Sequence, residues 1–293
     1  MFAKYINTGI LITLGSAMIF GLYPPAARIV YQEGGNITLV IIATTFCRMF
    51  GLVALTKYRG YKIFDDTKRM RLSSLAGITQ IFAIIGILGG TYFMPGAIVI
   101  AIMFSWSLML LLFTAWRKEI TLNPVNLVAT LTAIVGLSLV LDAYGHGENV
   151  NVAGVTLAFF AGIVTFAGVY IFGFISKIKS PLIVGSEMLI IAFACSLLLL
   201  FWQTPVLPRS DWGLLMLALC CMSLAIGSLG MFFGIKILGS YKYSMMIKVE
   251  PIFTAIFGIL IAKNYLINGQ YIGILLVVSS LITIHFFDRQ VQK

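Results

Sequence analysis

The chain has 293 residues, 60% of them hydrophobic and 10% charged, and its mean hydropathy of +1.03 excludes a soluble globular domain of this length. The net charge of +10 does not describe a nucleic-acid surface, because the basic residues stand in short groups between apolar runs, the pattern of cytoplasmic connections. Cys47, Cys195, Cys220 and Cys221 all fall inside apolar runs and give no disulfide framework.

A hydrocarbon core about 30 Å thick needs roughly 20 helical residues per crossing. Ten such runs are expected, over residues 6–31, 36–56, 72–92, 96–116, 124–141, 152–175, 181–202, 211–235, 243–262 and 270–287. The first is followed by further spans and is expected to be retained, not cleaved as a signal peptide.

In the first span, FGLYPPAAR places Phe20 and Tyr23 one turn apart on one face, ahead of Pro24 and Pro25. The prolines either break the helix at depth, beside protein or water, or mark its outer end. The second span carries Arg48 near its middle. At the end of the third, Tyr92 and Phe93 before Pro95 read as an interfacial turn or a gate. The fourth holds Trp106 near the midplane between Ser105 and Ser107, as a pocket wall or as packing, whereas Trp116, Trp202 and Trp212 sit at span ends, where aromatic belts form.

The seventh span carries Glu187 in VGSEMLI, and the ninth carries Glu250 and Pro251 in KVEPIF. A charge on a spanning helix costs roughly 2.5 to 3.5 kcal/mol even on the lenient insertion scale, so each needs a partner or a wet cavity. Arg48 paired with one of these glutamates would lower that cost, either as a structural bridge or as a solute or proton site. Glu250, about 10 Å from the inner end of the expected span, reads as a titratable acceptor beside a proline hinge, or as a carboxylate satisfied at the cytoplasmic rim.

With the N-terminus inside, fifteen basic residues fall in inner segments (Lys4; Lys57, Arg59, Lys62, Lys68, Arg69, Arg71; Arg117, Lys118; Lys177, Lys179; Lys236, Lys242; Arg289, Lys293). Only Arg28, Arg209 and Lys263 fall outside, so both termini are expected in the cytoplasm and the chain in the plasma membrane.

Two pairs of spans share a pattern. Gly9, Thr13 and Ala17 in the first span match Gly154, Ala158 and Gly162 in the sixth at an offset of 145 residues, and Gly86 and Gly90 match Gly230 and Gly234 at an offset of 144. Such faces let helices approach closely in lipid, although small residues are frequent in any membrane helix. Asn123 likewise matches Asn268. Five spans per half is an odd number, so the second half is expected upside down relative to the first. That arrangement in transporters places a site at the midplane and opens it to either side alternately.

The run PIFTAIFGILIAKN from Pro251 to Asn264, the fourth-span ending AWRKEITLNP, and Arg48 in TFCRMFG resemble the EamA-type branch of the drug/metabolite transporter superfamily. The resemblance covers the whole chain. It departs at Trp106, where the repeat would place a proline, and at Asn264 opposite Glu119. It implies an all-α integral membrane protein of ten transmembrane helices in two inverted five-helix repeats, residues 1–145 and 146–293. It also implies a carrier of small organic solutes, often an exporter of amino acids or other metabolites.

No phosphate-binding loop, nucleophile elbow or H-E-x-x-H motif occurs, and His146 and His285 are too few for a histidine metal site. No enzyme, metal or cofactor is therefore expected. The expected function is secondary transport, with Trp106, Arg48, Glu187, Phe20 and Tyr23 toward the solute and Glu250 with Pro251 as coupling site or hinge. A zwitterionic amino acid suits one Arg, one Glu and aromatic walls; protons or another ion would couple. The alternatives are uptake of a quaternary ammonium solute such as choline at an aromatic and carboxylate site, and a non-transporting membrane scaffold or sensor.

Overall fold

The computed structural model describes residues 2–93, 96–120, 123–140, 151–262 and 268–291. Pro95, Asn264 and His146, singled out above, lie outside them. The described residues form helices α1 (Phe2–Phe20), α2 (Tyr23–Gln32), α3 (Ile37–Tyr58), α4 (Thr67–Phe93), α5 (Gly96–Met103), α6 (Trp106–Trp116) and α7 (Pro124–Val140). The second half of the chain adds α8 (Val152–Ser176), α9 (Pro181–Ser196), α10 (Asp211–Leu238), α11 (Ser240–Met246), α12 (Glu250–Ala262) and α13 (Asn268–Val291). Three-residue-per-turn helix extends α9 over Leu197–Phe201 and joins α11 to α12 over Ile247–Val249.

Among the described residues, eight stretches are long and apolar enough to cross a membrane: Asn7–Gln32, Ile37–Tyr58, Met70–Ile87, Val99–Trp116, Val152–Ser176, Pro181–Phe201, Asp211–Leu238 and Ser240–Ile261. The two remaining expected spans are α7, of 17 residues, and α13, of 24. This is an integral membrane protein built from helices.

Polar side chains set several helix starts. Asn36 accepts from the Leu39 amide, Asn151 from the Ala153 amide and Ser210 from the Gly213 amide, each satisfying a donor that has no partner within its helix. At Gly239, φ of +79° ends α10, and the chain turns directly into α11.

Close packing occurs on the small-residue faces read from the sequence. α1 lies along α10, where a Cβ on Gly234 would come 2.5 Å from Thr13 Oγ1 and one on Gly230 2.7 Å from Ser16 Cβ. α4 lies along α8, where a Cβ on Gly86 would come 2.9 Å from both Ala161 Cβ and the Leu157 carbonyl oxygen. Lipid offers little hydrophobic drive between helices, so such backbone approach supplies the dispersion that holds them. α7 packs along α13 and α3 against α9, while α4 also touches α9 and α10 touches α3.

Gly9 abuts Ile237 and Leu238, and Lys236 Nζ bonds the Ser176 carbonyl, so α1 begins at the face where α8 and α10 end. α1 and α8 therefore run in opposite directions. At the other face, Asn36 bonds the Val206 backbone and the Thr204 carbonyl, and the Arg209 amide donates to the Glu33 carbonyl, tying the α2–α3 turn to the α9–α10 connection.

Candidate functional site

Three spans are interrupted near their middles. α1 ends at Phe20, two residues before α2. The prolines do not make this break: Pro24 and Pro25 lie in the first turn of α2, where a missing amide costs nothing, and the helix runs on to Gln32. The break falls at Gly21–Leu22, and a Cβ on Gly21 would come 2.7 Å from Phe253 Cβ and 2.9 Å from the Thr254 amide nitrogen of α12. The fourth span breaks at Phe104–Ser105, before Trp106, and the ninth at Ile247–Val249, before Glu250 and Pro251.

All three breaks border one cavity of about 430 Å³. Phe20, Tyr23, Arg48, Trp106 and Glu250 line it, each a residue singled out from sequence. Phe20 also packs edge-on against α10, where a Cβ on Gly227 would meet its ring at 2.6 Å. Glu250 is not near the helix end: the apolar stretch starts at Ser240 and runs to Ile261, so ten residues precede Glu250 and it stands near the middle of the stretch. It has no ion-pair partner among the described residues.

Arg48 is buried, and its partners are neutral. Nε donates to Ser228 Oγ at 2.7 Å, and that hydroxyl donates onward to the Leu224 carbonyl. With the Gln80 amide oxygen turned toward it, Nη2 and Nη1 donate to Gln80 at 2.8 and 3.3 Å. The guanidinium is thereby fixed in place with its positive charge uncompensated by any carboxylate among the described residues.

Glu187 does not join this site, and among the described residues Arg48 pairs with neither glutamate. Its Oε1 accepts from Lys179 Nζ at 2.8 Å and from the Phe64 amide at 3.1 Å, and none of the three lines the cavity. Lys179 also holds Asp65 at 2.5 Å. Burial works against the Lys179 ammonium, but the bonds to Asp65 and Glu187 outweigh it and raise its pKa above the ordinary value. Glu187 Oε2 is buried with no hydrogen bond. The reason is local: α9 begins at Pro181, so the preceding loop swings Lys179 back over the helix's second turn.

The cavity is wide at one face and shut at the other. Tyr31, Ile37, Ile87 and Ile100 line it toward the face far from the start of α1. At the near face Phe172 stacks on Phe232, and Ile175 and Ile235 are each only 1% exposed. Two bonds brace this closure, Lys236 to the Ser176 carbonyl and Ser240 Oγ to the Val169 carbonyl.

Sequence reading missed Gln80, Ser228 and Tyr243. Gln80 was legible in principle, being an amide within an apolar run. Ser228 was not, since a serine is satisfied by its own helix.

Residues 150–286 match the EamA-like transporter family. No curated protein matches the chain. A crystal structure described only as that of a protein superposes with a TM-score of 0.80 at 15% identity, covering 98% of this chain and 99% of that one; at such identity the likeness shows the fold.

Proposed function

We propose that this chain, an EamA-like member of the drug/metabolite transporter superfamily, moves a small zwitterionic solute, an amino acid or a relative, through the central cavity by alternating access. The observation that carries the reading is that Arg48 and Glu250 line one cavity without pairing with each other. Two opposite charges held apart in a low-dielectric wall suit a ligand that brings both a carboxylate and an ammonium. Trp106, Phe20 and Tyr23 supply the apolar and π surface between them.

Residues 1–145 and 146–293 act as two inverted halves in this reading. Three features support it. The most extensive packings correspond when each span of the first five is exchanged with its counterpart in the last five: α4 on α8 becomes α10 on α1, and α4 on α9 becomes α10 on α3. The helices that follow the breaks in the fourth and ninth spans, α6 from Trp106 and α12 from Glu250, begin 144 residues apart. α1 and α8 run antiparallel. The distribution of basic residues supports termini in the cytoplasm; in this reading the open face is external and Phe172–Phe232 closes the cytoplasmic side. Glu250 with Pro251 serves as coupling site and hinge, and protons are the ion we assign to it.

Counterflow of labelled amino acids into proteoliposomes, with choline as the competing candidate, tests the reading. Exchange of an amino acid is the expected result; choline exchange alone would favour the cation permease, and no flux of any solute a scaffold or sensor.

A further inference from the structure

A guanidinium carries five N–H donors in one plane, and they form two edges on which a carboxylate can be held by two parallel bonds: Nη1 with Nη2, and Nε with its neighbouring Nη. On Arg48 both edges are in use. Nη2 and Nη1 converge on the Gln80 amide oxygen at 2.8 and 3.3 Å, and Nε donates to Ser228 Oγ at 2.7 Å. The two N–H bonds left over point to opposite sides of the rigid fork, so one carboxylate cannot take both. The solute proposed above therefore meets an arginine already capped. Its carboxylate gains the two-bond geometry only by displacing one of the neutral partners.

The partners differ in how readily they leave. Ser228 is 2% exposed, does not line the cavity, and is tied to the Leu224 carbonyl on its own helix, so its bond persists when solute binds. Gln80 lines the cavity and is only partly buried. It stands on the face of α4 that also gives Ala76, Thr79, Ala83, Ile84 and Ile87 to the wall, a run at helical spacing in which Gln80 is the one long polar side chain. Ala76 and Ala83, four residues before it and three after, are its neighbours on that face, and their methyl groups leave the amide room to swing along the wall. The energies favour the exchange. With both partners charged, guanidinium–carboxylate bonds are stronger than guanidinium–amide bonds, and the released amide turns into an open cavity instead of being buried unpaired.

We infer that Gln80 is a stand-in for the solute's carboxylate: it caps the Arg48 fork while the carrier is empty, and a solute must displace it to bind. Gln80 is thereby a specificity-determining residue. A neutral acceptor, such as the carboxamide of an amino acid, gains nothing over the amide already in place, whereas a carboxylate brings a charge and a second oxygen. The inference rests on the zwitterionic-solute reading.

The test is counterflow of a labelled neutral amino acid into proteoliposomes, with the unlabelled amino acid or its carboxamide as competitor, for the native protein, Gln80→Leu and Gln80→Glu. Gln80→Leu leaves the Nη edge without an acceptor in the empty carrier, so apparent affinity for the amino acid is expected to rise about fivefold. Gln80→Glu puts a permanent carboxylate in the fork, so affinity is expected to fall by about tenfold or more and the preference for amino acid over carboxamide to disappear. Unchanged or weaker binding by a folded Gln80→Leu would show that Gln80 only aims Arg48, overturning the inference while the zwitterionic reading stands. If Gln80→Leu does not fold, Gln80→Glu decides, and an unchanged affinity or preference overturns the inference. If the native protein exchanges no amino acid, or prefers the carboxamide, the zwitterionic reading is lost and the inference with it.

Discussion

Phe172 of α8 and Phe232 of α10 stack with ring centroids 4.7 Å apart and planes 24° from parallel, and this pair closes one end of the cavity. Both are fully buried, with Ile175 and Ile235 beyond them. Replacing a buried phenylalanine by alanine typically costs about 3 to 5 kcal/mol. Phe232→Ala is therefore expected to lower the melting temperature in detergent and to make a cysteine from Ile175→Cys reactive at least tenfold faster. An unchanged labelling rate would move the gate elsewhere.

Arg48 is aimed by Ser228 and Gln80, so its variants separate charge from geometry. Arg48→Ala removes the cation and is expected to abolish exchange of carboxylate-bearing solutes. Arg48→Lys keeps the charge but not the fork that two neutral acceptors hold, and a loss of about tenfold in apparent affinity is expected. Ser228→Ala removes one hydrogen bond, about 1.5 kcal/mol when one partner is charged, and should weaken binding by about tenfold as well. Affinity is read from the concentration dependence of counterflow.

Lys179 compensates Glu187, whose side chain is wholly buried. Lys179→Met leaves that carboxylate unpaired, and breaking a buried pair from one side costs about 3 to 5 kcal/mol. The double variant Lys179→Met with Glu187→Gln should recover most of it, a non-additivity measured by thermal denaturation.

The same bridge predicts a pH window. The Lys179 pKa is raised in the folded protein, so its stabilisation is full below the unfolded value, near 10.4, and is lost as pH climbs through the higher folded value. The stability difference between native protein and Lys179→Met should be constant from pH 6 to about 9 and shrink only above pH ~10. A difference that shrinks near neutrality would show that another group carries the effect.

Glu250 and Pro251 are separable by their effect on coupling. Glu250→Gln removes the charge that would receive the solute's ammonium, so it should lower apparent affinity in counterflow and also remove the dependence of transport on an imposed pH gradient, whereas Pro251→Ala should slow turnover and keep that dependence. Gradient dependence that survives Glu250→Gln would assign coupling to a different residue.

Much of the fold was legible because span length and small-residue spacing are local properties of the chain. The Gly230 and Gly234 face was readable as a close-approach surface, and it is the one α1 meets at Thr13 and Ser16. Helix breaks were less legible. Phe104–Ser105 contains neither proline nor glycine, and in the first span the visible prolines drew attention from Gly21, where the crossing with α12 sets the break. Five residues that line the cavity were legible because aromatic and charged groups in apolar runs are conspicuous. Partners were not: Arg48 meets a serine 180 residues away, and Glu187 meets a lysine that only a folded-back loop delivers. The depth of Glu250 was misjudged because α11 adds a turn that its Tyr-Lys-Tyr composition disguises.

The two mouths of the cavity are unequally easy to shut. At the sealed mouth the rings of Phe172 and Phe232 stack on one another with Ile175 and Ile235 beyond them; toward the other mouth the lining is Tyr31, Ile37, Ile87 and Ile100. Two stacked rings form a plug made of the protein's own side chains, whereas at the other mouth a bound solute would have to supply that bulk itself.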